Sequence, residues 1–130
     1  MDNCQKLGKF GENLATDYLV ENNYDVVEKN FKCIFGEIDI IAYDRNKCKK
    51  ELVFIEVKTR RNTLYGDGMS AIDTNKQKHL YRTIEFYLCV NKLKNIKIRV
   101  DGIEIFLQNG KTDLKHYCDI ILDKPYWKPQ

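Results

Sequence analysis

The chain has 130 residues, of which 43% are hydrophobic and 32% charged. That length suits one domain with its own core, and that balance excludes a disordered or fibrous chain. A formal net charge of +3 and a pI of about 8.5 admit an anionic partner without demanding one.

Asn3 to Asn22 reads as an amphipathic helix, with Leu7, Phe10, Leu14 and Tyr18 at three- and four-residue spacing on the expected buried face. Asp2 and Gln5 form a capping pair before it, and Asn22-Asn23 ends it. Gly8, Gly11 and Ala15 would let this helix approach a neighbouring element closely. Tyr24 to Phe31 is rich in β-formers and reads as a first strand, and Glu37 to Tyr43 as a second. After the polar connection Asp44–Lys50, Glu51 to Lys58 forms a third. That strand is nearly continuously apolar until its charged end, as a central strand would be.

A loop with Gly66 and Gly68 leads to a second helix, Asn75 to Asn91, with Thr74 and Gln77 as a capping pair. Leu80, Ile84, Tyr87 and Leu88 mark its buried face. Ile96 to Leu107 alternates as a fourth strand, Asn109-Gly110 signals a turn, and Lys115 to Leu122 reads as a short fifth strand. The fold class is therefore α/β, a mixed four- to five-stranded sheet flanked by helices in the order α-β-β-β-α-β. Residues 1–122 are expected to form a single domain. Residues 123–130, with two prolines and Tyr126-Trp127, should form an irregular tail.

Five cysteines, an odd number with no CxxC spacing, suggest neither a disulfide framework nor a zinc site, and most of the thiols are expected to fill the core. The polar N-terminus leads into no apolar run, and no stretch reaches membrane-spanning length. A reduced, cytoplasmic protein without membrane contact is expected. His79 and His116 fit no nucleophilic pattern and read as surface residues, although pairing with a cysteine or serine in space stays open. There is no Gly-rich phosphate loop.

The chemistry concentrates in two strands. Glu37 and Asp39 alternate onto one face of the second, Glu56 and Lys58 onto one face of the third. Antiparallel pairing would bring Asp39 and Glu56 together. Each sits among Ile and Val, where a carboxylate must be paired or hold a cation. The competing reading is a cross-strand ion pair with Lys58 or an arginine. Two acids and a lysine at this spacing favour a Mg²⁺ or Mn²⁺ site with an amine beside it, which is phosphodiester-hydrolysing chemistry. Glu37 reads as a ligand, a partner that orients Lys58, or an ion-pair partner of Arg60, with a supporting role preferred. Ten basic residues against three acidic ones between Val57 and Arg99 supply a positive flank. Arg60, Arg61, Lys76, Lys78 and Arg82 are its candidate phosphate contacts.

Gly36-Glu37-Ile38-Asp39 and Phe54-Ile55-Glu56-Val57-Lys58-Thr59-Arg60 carry a resemblance that runs nearly end to end. Gly8, Gly11-Glu12, Ala15, Tyr18-Leu19, Asn30-Phe31, Tyr65-Gly66, Lys76, Leu80, Tyr87-Leu88 and Arg99-Val100-Asp101 corroborate it. The chain resembles the YraN-like family of uncharacterised bacterial proteins, in the restriction-endonuclease-like PD-(D/E)xK superfamily. The resemblance implies a metal-dependent nuclease fold with Asp39, Glu56 and Lys58 in the catalytic positions. Glu12 looks like the helical glutamate that archaeal Holliday-junction resolvases place near the metal. Gln77 and Tyr81 are similar to a Gln-x-x-x-Tyr pair of some exonucleases of this architecture, a pattern that helix packing explains equally well. The superfamily's usual proline before the first acid is replaced by Ile38.

These readings converge on a Mg²⁺- or Mn²⁺-dependent DNA endonuclease acting on branched, damaged or single-stranded forms, with a homodimer favoured for two-strand cutting. The alternatives are a catalytically silent module of the same fold that binds nucleic acid or protein, and an interaction factor without affinity for DNA.

Overall fold

Apolar residues alternate along five segments of the chain, and those segments form one sheet. In the computed structural model, residues 3–61 and 74–120 are described. The elements in order are α1 (Asn3–Glu21), β1 (Tyr24–Cys33), β2 (Gly36–Asp44), β3 (Glu51–Arg60), α2 (Thr74–Val90), β4 (Lys97–Gln108) and β5 (Lys111–Tyr117). The strands lie side by side in chain order. β1, β2 and β3 form an antiparallel meander, β3 pairs parallel with β4, and β4 pairs antiparallel with β5. Parallel pairing demands a crossover, and the connection between β3 and β4 contains α2. β3 is thus the central strand, as its apolar run requires, and its first five residues are buried.

The two helices cover opposite faces. Ala15 and Leu19 of α1 pack with Ile40, Ala42, Val53, Ile55, Ile103 and Ile105. Tyr81, Ile84, Tyr87 and Leu88 of α2 pack with Ile38, Ile41, Leu52, Phe54 and Val100. The buried stripe of α1 therefore differs from the expected one. Gly11, Ala15 and Leu19 are buried, Leu14 and Tyr18 flank them, and Phe10 is 44% exposed. The reason is close approach. A Cβ on Gly11 would run into Thr59 Oγ1 and come within 3.0 Å of Thr59 Cβ, so the helix lies on β3 along its smallest side chains.

Element ends follow local chemistry. Asn23 takes φ 66° and closes α1 in the left-handed region that asparagine tolerates. Asn109 and Gly110 both have positive φ, as a two-residue hairpin turn between β4 and β5 requires. That turn starts β5 at Lys111, four residues before the expected start. The expected caps differ in status. Asp2 and the loop with Gly66 and Gly68 lie outside the described residues, as do the side chain of Thr74 and the tail from residue 121. Among the described cysteines, Cys33 is half-buried and Cys48, Cys89 and Cys118 are exposed, so these thiols do not fill the core. Among the described residues, no helix is long and apolar enough to cross a membrane.

Candidate functional site

β2 and β3 pair from Asp44 and Glu51 up to Ile40 and Ile55, and there the ladder stops. Just beyond, Val57, two residues past Ile55, donates its backbone N–H to Asp39 Oδ2 at 2.8 Å, so a carboxylate takes the place of a ladder carbonyl. The alternation of β2 also slips at this point. Ile38 packs under α2 with Ile41, whereas Ile40 and Ala42 pack under α1. Asp39 sits at the slip, half-buried where the strands part.

Three acids surround it. Burial pushes the Asp39 carboxyl up to about 6, the Val57 N–H opposes that rise, and the charges of Glu12, Glu56 and Glu37 add to it. Glu12 arrives on α1, one residue past the glycine that seats the helix on Thr59. With its amide oriented to satisfy it, Asn30 donates to both Glu12 oxygens at 3.0 and 3.1 Å. Asn30 holds φ 56° opposite Asp39, between the registered pairs Lys29 with Ile40 and Phe31 with Ile38. It was not among the sequence candidates; the only sequence signal was an asparagine, a poor strand former, inside the β-rich run of β1. Glu37 is exposed and lies 3.9 Å from Lys32 across the β1–β2 hairpin, so its ion-pair partner is Lys32 rather than Arg60.

Asp39, Glu56, Glu37 and Ile38 form one wall of a cleft of about 390 Å³, and Lys76, His79, Leu80 and Thr83 of α2 form the facing wall. Gly36 starts β2 beneath α2, with φ 152° and Thr83 Oγ1 3.0 Å from where a Cβ would stand. His79 is exposed within this cleft. Lys58 follows Glu56 by two residues and is half-buried. Lys76, Lys78 and Arg82 are exposed on α2, and Arg61 is exposed just past β3. Gln77 is half-buried, while Tyr81 is a core residue. Arg60 donates through Nε to Glu104 Oε2 at 3.1 Å.

The donor set is hard oxygen on a half-buried, like-charged cluster, which fits a divalent cation of the Mg²⁺ or Mn²⁺ kind. Glu12, Asp39 and Glu56 are the residues able to hold it. Among the described residues no ion pair engages any of the three. Their oxygens do not all lie within 4.8 Å of one another; among the described residues, the group of three ligand-type atoms that does is Asp101, His116 and Cys118.

That second cluster belongs to a buried ion network on the α1 side. Arg99 donates to Asp44 (2.8 Å), Glu51 (2.9 Å), Asp101 (2.8 and 2.9 Å) and the Tyr24 hydroxyl (2.7 Å). His116 Nε2 lies 2.7 Å from Asp101 Oδ2, and Nδ1 lies 3.0 Å from the Tyr18 hydroxyl. Burial works against both charges, yet the bonds from His116, Arg99 and Asp119 hold the Asp101 carboxyl below its ordinary range. His116 is therefore a buried structural residue rather than a surface one, and the Cys118 sulfur lies 3.7 Å from its Nε2. Burial pushes the Cys118 thiol up, away from the thiolate that nucleophilic or metal chemistry needs. Arg99 is likewise removed from the positive flank, and Lys97 is paired with Glu51 at 3.1 Å.

Residues 11–105 match the Uncharacterised protein family UPF0102. The chain is 43% identical over 109 residues to a UPF0102 protein of Clostridium botulinum strain 657, covering 82% of this chain and 85% of the relative. It is 37% identical over 113 residues to a UPF0102 protein of Caldicellulosiruptor bescii, covering 86% and 91%. Among solved structures, the crystal structure of SSO0001 is similar at 17% identity, over 90% of this chain and 53% of that one, with a TM-score of 0.37.

Proposed function

The chain belongs to the uncharacterised protein family UPF0102, and we propose that it is a Mg²⁺- or Mn²⁺-dependent nuclease that hydrolyses phosphodiester bonds in DNA. The observation that carries this reading is the Asp39 carboxyl, pushed up to about 6 by burial and by three neighbouring acids at the point where two strands part. A structural acid is normally stabilised by its surroundings. Asp39 is not, and a perturbed carboxyl lining a cleft is the mark of a functional one.

In this reading Asp39, Glu56 and Glu12 hold the cation, which when bound lowers the pKa of water and offsets charge on the scissile phosphate. The Val57 N–H fixes the Asp39 carboxylate, and Asn30 fixes that of Glu12. Lys58 presents its ammonium beside Glu56, where it orients the attacking water or a phosphate oxygen. Glu37 supports the cluster electrostatically. Lys76 lies on the facing wall, and Arg61, Lys78 and Arg82 extend a positive surface towards flanking phosphates. Arg60 contributes there to the extent that its bond with Glu104 permits. Branched, damaged or single-stranded DNA and a symmetric dimer complete the proposal.

The test is incubation of the purified protein with plasmid, single-stranded and four-way-junction DNA, in Mn²⁺ or in EDTA. Cutting in Mn²⁺ that is lost in EDTA and in Asp39→Ala or Glu56→Ala is the expected result. Binding without cutting under every metal would make the protein a silent binding module, and no DNA shift even at low salt would remove DNA as its partner.

A further inference from the structure

Glu104 of β4 is 0% exposed and lies in an apolar strand between Ile103 and Ile105. Its Oε2 accepts the bond from Arg60 Nε at 3.1 Å. Its Oε1 is buried and has no partner within hydrogen-bond distance among the described residues, although the Tyr117 hydroxyl of β5, in register with Gly102, is near enough for the Glu104 carboxylate to add to burial in pushing its pKa up. Burying an anion with one oxygen unserved costs stability, and native proteins rarely tolerate it without a use for the group.

The register shows which residues stand beside Glu104 on the neighbouring strands. β3 and β4 run parallel, with Glu56 beside Gly102, Lys58 beside Glu104 and Arg60 beside Phe106. Registered neighbours share a face at about 4.8 Å between strands, within reach of a lysine side chain. Ile103 and Ile105 point into the α1 core, so Glu104 points to the other face, the one that carries Glu56 and Lys58. Gly102 leaves the place beside Glu56 without a side chain. On the far side, Lys115 of β5 is also in register with Glu104. Its ammonium, however, lies over the Phe106 ring, 5.7 Å from the centroid. Among the described residues Lys58 forms no ion pair, and it stands on the strand next to that Glu104 oxygen.

We propose that Glu104 is a positioning residue for Lys58. Its Oε1 takes the Lys58 ammonium while Arg60 pins the carboxylate through Oε2, so that the amine is held beside Glu56 from a neighbouring strand. This deepens the nuclease reading and rests on it for the role of Lys58. The placement of the ammonium itself is open to a measurement that needs no cleavage.

The lysines of the folded protein are reductively dimethylated with ¹³C, and the Lys58 signal is identified by its loss in Lys58→Arg. Glu104→Gln should move that signal, while Lys115→Ala should leave it in place. Glu104→Asp keeps the charge and shortens the reach; it should also move the signal, which covers a failure of the Gln variant to fold. In cleavage, Glu104→Gln should lower kcat by about tenfold or more with KM little changed, and should add nothing in a Lys58→Ala background. An unmoved Lys58 signal in both Glu104 variants overturns the proposal, as does an undiminished loss in the Lys58→Ala background. Absence of cleavage by the unaltered protein would instead sink the nuclease reading and leave the spectroscopic result to stand for itself.

Discussion

Asp39 and Val57, 18 residues apart, are joined by a hydrogen bond in which a side chain replaces the missing rung of a sheet. The bond aims the carboxylate into the gap between β2 and β3. It relieves only part of the electrostatic conflict that burial and the neighbouring acids impose, from which the first two predictions follow.

The folded Asp39 has its pKa at about 6, above the ordinary 3.8. Below about pH 4 the group is protonated in both states and has no effect on stability. As pH rises from about 4 to about 6 the fold loses stability, and above that the whole penalty is present, at most roughly 3 kcal/mol. Asp39→Asn keeps an acceptor for Val57 and removes the charge. It should raise Tm near neutral pH in EDTA and leave it unchanged near pH 4, as read by thermal unfolding at both.

Mn²⁺ should reverse the same penalty. Calorimetry should show a bound ion near neutral pH, with Tm rising as metal is added. The gain should shrink as pH falls through about 6, because protons compete for the carboxylate. Asp39→Ala should show no such gain at any pH.

Gly11→Ala places a methyl group against Thr59 Oγ1. The expected cost is about 1–3 kcal/mol, measured by urea unfolding, because helix and strand must separate. Thr59→Gly in the same chain should recover much of it. Metal affinity should fall in the single variant, since Glu12 moves with the helix.

Arg99 and Arg82 should separate structure from binding. Arg99→Met strands Asp44, Glu51 and Asp101 without their shared cation and should cost about 3–5 kcal/mol. Exposed Arg82→Ala should change stability by less than about 0.5 kcal/mol. In DNA titrations it should flatten the salt slope by about one unit.

Much of this was legible in the residues. Strand alternation and helix spacing located every element, and Asp39, Glu56 and Lys58 stood out because charged side chains rarely end apolar strands without a purpose. The face of α1 was misjudged because bulk was taken as the guide. Phe10 is large but exposed, and Gly11 and Ala15 are small but buried, since contact with β3 rewards closeness over size. The Arg99 network was missed for a different reason. Its members come from β1, the end of β2, the start of β3, β4 and β5, and only the sheet order makes them neighbours. An arginine and an aspartate two apart in the apolar strand β4 were its trace. The slip at Asp39 has no sequence signature at all, because it arises from two strands leaving each other.

The acids come from α1, β2 and β3, all before residue 60, whereas the opposite wall with Lys76 and His79 comes from the crossover helix. On the proposed function, ion capture would fall to elements close in the chain, and grip on a polymer to a later, more costly chain closure. Mild loosening of α2 should therefore make the protein drop a bound strand while it still chelates.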